Sequence, residues 1–75
     1  MAKKKDSSDG VYRVTEVIGT SKVSWEDAAA NAVAAASKTL RDLRIAEVVK
    51  LDMKVDDGKV AAYRARVQLS FKYDG

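Results

Sequence analysis

The chain has no cysteine and no histidine, and only four glycines among its 75 residues. Each absence closes a class of chemistry. Without Cys there is no disulfide to staple a small domain and no thiolate to hold a metal. Zinc draws mainly on Cys and His, so a structural zinc is excluded. Neither a Ser-His-Asp nor a Cys-His arrangement can be built. Ser37-Lys38 brings a hydroxyl beside an amine, but adjacent helix residues point to different faces. The glycines stand at 10, 19, 58 and 75, so no G-x-G-x-x-G turn or Walker loop is present. No run of about 18 apolar residues exists to span a membrane. The expectation is a protein that is not an enzyme, with no catalytic residues and no membrane partner. A chain without Cys also fits the cytoplasm.

What is there is one small domain's worth of ordinary soluble sequence, 47% apolar and 33% charged. A chain this short buries only about 60% of the surface its unfolded form exposes. With disulfides and zinc excluded, partner subunits are the remedy left. The net charge is +3, and Lys3, Lys4 and Lys5 lie in the polar, aperiodic stretch 1–10. That stretch reads as a disordered leader, and the domain as residues 11–75. The remaining charge is too mild to argue for nucleic acid.

Val11 to Ile18 is rich in β-branched residues and reads as a strand with both faces partly covered. Tyr12, Val14 and Ile18 share one face with Glu16, and Arg13, Thr15 and Val17 take the other. Gly19 to Lys22 reads as a loop. Its Gly-Thr-Ser could cradle an anion ahead of a helix, or simply serve the turn and cap. Ser24-Trp25-Glu26-Asp27 has the form of a capping box. The alanine-rich run from Trp25 to about Asp42 contains no Gly or Pro and reads as a helix. Trp25, Ala29, Ala32, Ala36, Leu40 and Leu43 would form its apolar stripe. Such a stripe of methyl groups lets a helix lie close to a sheet, but buries little area.

Ile45 to Val55 and Val60 to Tyr73 read as strands, joined through Asp57-Gly58, a strong hairpin signal. The last strand alternates. Ala61, Tyr63, Ala65, Val67, Leu69, Phe71 and Tyr73 share one face, while Arg64, Arg66, Gln68 and Lys72 lie on the other. The fold class is therefore α+β: β-α-β-β, a three-stranded antiparallel-type sheet on one helix, with the first strand beside the last.

These elements, in this order, resemble the dodecin family. The marks are Tyr12-Arg13-Val14, Ile18-Gly19-Thr20-Ser21, the alanine-rich helix, Ala46-Glu47-Val48, Asp57-Gly58-Lys59-Val60 and Val67-Gln68-Leu69-Ser70-Phe71. The resemblance implies a hollow homododecamer with trimeric sub-assemblies that binds or stores a small ligand, usually flavin. The family's flavin-stacking Trp corresponds to Ile45, its flavin-bonding Gln to Arg64, and two Arg near the ligand to Asp52 and Lys72. An aliphatic side chain offers no aromatic face, so the flavin contacts carry over poorly. Ser24-Trp25-Glu26 and Asp52-Met53 are more like the calcium dodecin branch, which lacks the flavin Trp. In a symmetric assembly one carboxylate near a threefold axis becomes a ring of three, suited to a hard cation such as calcium. Glu16, Glu47 and Asp52 lie on strands and are the candidates. The competing reading is that they form salt bridges between subunits with Arg13, Arg64 or Arg66. Arg64, Arg66, Gln68 and Lys72 could likewise meet an anionic ligand, or pair with those carboxylates.

Overall fold

The computed structural model describes residues 10–72. Its elements are β1 (Tyr12–Ser21), α1 (Trp25–Ser37), β2 (Leu43–Asp56) and β3 (Lys59–Lys72). All but Gly10 of the expected leader lies outside the described residues, as does Tyr73 of the expected last strand. The sheet order is β1-β3-β2 with both neighbouring pairs antiparallel. The expected β-α-β-β sheet, first strand beside last, is the fold observed.

Three details differ from the sequence reading. Gly19-Thr20-Ser21 is not a loop but the end of β1, paired with Ala65, Arg64 and Tyr63. Glycine is required at 19 because a β-carbon there would overlap the Ala28 carbonyl oxygen and stand 2.9 Å from the Ala32 Cβ. It marks close helix–sheet approach, not a turn. The helix also stops at Ser37 rather than Asp42. The Thr39 and Leu40 amides both return to the Ala36 carbonyl, at 3.0 and 2.8 Å, closing the last turn. Asp42, at φ 56°, then turns the chain into β2. Finally, the buried stripe is Ala28, Ala32 and Ala36, with Ala29 and Val33 beside it. Leu40 and Leu43 do pack against this core, but from the connecting loop and from β2.

The helix start is half the expected box. The Ser24 hydroxyl accepts the Asp27 amide at 3.0 Å. The Asp27 carboxylate does not reach back to Ser24; it accepts the Ser21 hydroxyl at 2.7 Å. At the hairpin, Asp57 (φ 51°) and Gly58 (φ 74°) are both left-handed between paired Asp56 and Lys59. This is the two-residue turn whose twist suits a β-ribbon.

Core and coverage follow from lengths. Ala65, Val67 and Leu69 of β3 are fully buried against the alanines of α1. Thirteen helical residues span about 20 Å, whereas fourteen strand residues span about 46 Å. The helix therefore covers only part of the hairpin. It packs over β1 and β3 and barely touches β2.

Candidate functional site

The sheet has a helix side and an opposite, outer side. Directly paired residues share a side, so the register assigns each position. Across β1, β3 and β2 the outer rows are Thr20–Arg64–Asp52, Ile18–Arg66–Lys50, Glu16–Gln68–Glu47 and Val14–Ser70–Ile45. Tyr12 and Lys72 form the last pair. Ile45, Asp52, Arg64, Gln68 and Lys72, the expected ligand positions, thus all lie on one surface. So do the carboxylates Glu16, Glu47 and Asp52.

Simple alternation along β2 does not produce this surface. Glu47 and Asp52 are five positions apart, which in a regular strand places them on opposite sides. The register slips at Val49, between Val48 and Lys50. This extra residue restores Asp52 to the side of Glu47. No pattern in the residues around Val49 announces the bulge.

Two of the carboxylates are engaged. Asp52 accepts a bidentate pair from Arg64, Nε to Oδ1 at 2.6 Å and Nη2 to Oδ2 at 2.9 Å. This hydrogen-bonded guanidinium holds the Asp52 carboxyl below its ordinary 3.8; desolvation opposes it, and the charges of Arg64, Arg66 and Lys50 add lesser attraction. The same pairing raises Arg64. Glu16 accepts Arg66 Nη1 at 3.2 Å. Both pairs are about 40% exposed, so each adds little to stability. Asp52 and Glu16 therefore do pair with the expected arginines, but within one subunit rather than between subunits, because β3 sets Arg64 and Arg66 beside them. Glu47 has no ion pair among the described residues.

As for a cation, no three Asp, Glu, His or Cys side chains gather among the described residues. The described residues of one subunit do not bring together the six to eight oxygens that calcium takes. Glu47, held on a strand beside Gln68 and not neutralised by an arginine, fits the role of one donor in a ring. Asp52 would first have to release Arg64.

On the helix side, Trp25 Nε1 donates to the Asp52 carbonyl at 3.0 Å. Its ring meets Tyr63 edge-on at 5.1 Å. No local pattern around Trp25 or Asp52 signals that long-range bond. Beside it lies an open, apolar depression of about 490 Å³ lined by Trp25, Glu26, Ala29, Val48 and Leu51. Asp52 is thus held from both sides, its carbonyl by the helix and its carboxylate by β3.

The dodecin family model matches residues 11–74. The chain belongs to the dodecin family. It is 47% identical over 62 residues to calcium dodecin of Mycobacterium tuberculosis, covering 83% of this chain and 87% of that protein. Dodecin from Streptomyces coelicolor superposes with a TM-score of 0.84 at 41% identity, over 91% of this chain and 97% of that one. The solved calcium dodecin of M. tuberculosis, described as a calcium-chelating antigen with a calcium-binding site, gives 0.77 at 45% identity, over 85% and 91%. The expected membership and the likeness to the calcium branch are both supported by these matches, and the dodecin fold is the one described above.

Proposed function

We propose that copies of this chain close into a hollow homododecamer, built from trimers, that binds and stores a hard cation such as calcium rather than turning over a substrate. The observation that carries it is unburied oil. Among the described residues, only Val67 and Leu69 are large side chains fully buried within one subunit, while twelve large apolar side chains are exposed, among them Val14, Ile18, Ile45, Val48, Leu51 and Met53. Surface of that extent marks an interface, and closed symmetry is the usual way copies cover it.

The cation half of the proposal rests on the outer face. It presents a rigid, unneutralised Glu47 that symmetry would multiply, and the relative at 47% identity is a calcium dodecin. A flavin role would need a stacking surface where this chain has aliphatic Ile45. The absence of His and Cys removes the common nucleophile–base pairs, in keeping with storage. Cytoplasmic residence suits a chain without Cys; among the described residues no helix is long and apolar enough to cross a membrane.

Sedimentation equilibrium should give about 100 kDa, twelve times the 8.2 kDa chain. A mass of one chain at micromolar concentration ends the proposal. Calorimetry should show saturable calcium uptake that Glu47→Gln reduces at least tenfold. Riboflavin fluorescence should be left unquenched; quenching at micromolar protein would move the ligand to flavin.

A further inference from the structure

Asp52 is surrounded by positive charge. Arg64 faces it across the β2–β3 register and grips both its oxygens. Lys50 and Arg66 form the adjacent row on the same face, and both attract the Asp52 carboxylate. A bidentate Arg64 with two further cations in the adjacent row, one of them also bonded to Glu16, is an arrangement suited to phosphate or carboxylate recognition. Here the oxyanion belongs to the chain itself. The position is also fixed from behind, because Trp25 holds the Asp52 carbonyl from the helix side. The side chain therefore cannot leave by a shift of the strand without breaking that bond.

We infer that Asp52 is a built-in anion that occupies an oxyanion site formed by Arg64, Arg66 and Lys50, and so makes residue 52 the determinant that rejects anionic ligands from the outer face. The inference rests on the proposed role of that face as the ligand surface and specifies which ligands it refuses. Removing one carboxylate leaves Arg64 without its partner, beside Lys50 and an Arg66 whose Nη1 is held by Glu16. A phosphate group arriving at the native protein must instead displace a covalently tethered competitor, whose local concentration is high because it is part of the same sheet.

The test uses the assembled full chain and inorganic phosphate, followed by calorimetry at low salt. The native protein should show no saturable binding up to about 10 mM phosphate, corresponding to less than about 3 kcal/mol. Asp52→Asn, which keeps size and shape, should bind phosphate at least tenfold more tightly. Adding Arg64→Gln to that variant should abolish the gain. Asp52→Ser serves as a second neutral variant should the amide impair assembly. Neutral variants of native mass that bind phosphate no better than the parent overturn the inference. Saturable millimolar binding by the native protein overturns it regardless of any variant. Native mass and calcium uptake of the same samples report separately on the shell proposal, since neither depends on phosphate.

Discussion

Val67 on β3 and Val48 on β2 are direct partners on the same side of the same sheet. Val67 is fully buried, whereas Val48 is 47% exposed. Their chemistry is identical, so hydrophobicity does not set the difference. The reach of the helix does. Alanine methyls and Gly19 let α1 settle tightly onto β1 and β3, and an element seated that closely over two strands cannot also cover the third. The closeness that seals one part of the molecule leaves the other open, where the proposed assembly would place another copy.

The comparison can be broken most severely at Gly19. Gly19→Ala places a β-carbon against the Ala28 carbonyl, and backbone cannot yield cheaply. The expected loss is about 3 kcal/mol or more, read as an unfolded or molten chain by circular dichroism. A variant with native ellipticity and native melting would show that the helix can be lifted without cost. Leu69→Ala attacks the sealed side more gently. It leaves a cavity under the alanines, and the expected loss is about 2–5 kcal/mol in urea denaturation.

The open side should respond differently. Val48→Ser with Leu51→Ser removes apolar side chains that one subunit leaves about half exposed. The expected cost within the subunit is about 0.5 kcal/mol or less, yet the assembly should dissociate to lighter species in sedimentation. Unchanged mass would mean that the β2 surface is not an interface. The smallest effect concerns Asp52. Its folded carboxyl ionises below the ordinary 3.8 because Arg64 binds the charged form. It therefore adds stability that is complete above its unfolded value and is lost as pH falls through the lower folded one. Thermal midpoints should fall slightly more for the parent than for Asp52→Asn between about pH 5 and pH 2. Parallel slopes would remove Asp52 as a contributor.

Much of this was legible in the residues. Strong local signals fixed the alanine helix, the Asp57-Gly58 turn and the alternation of β3, because each depends on neighbours a few positions away. The placement of Ile45, Arg64, Gln68 and Lys72 on one surface followed from period-two patterning and the family's marks. The end of the helix was less legible. Residues 38–42 carry no Pro or Gly, and it was the need to enter β2 at Leu43 that ended it. Gly19 to Ser21 looked like a loop because Gly and small polar residues usually make one; the long partner strand β3 kept them extended.

The sequence by itself determined the order of elements, the want of His and Cys, and the shortage of bulky core, since these are matters of composition and short-range spacing. Only the tertiary structure decided which carboxylates share a surface and which are neutralised. One extra residue at Val49 turns Asp52 to the side of Glu47, and Arg64, twelve residues away along the chain, then claims it. Register and pairing across strands are set by contacts between distant segments, and no local pattern encodes them.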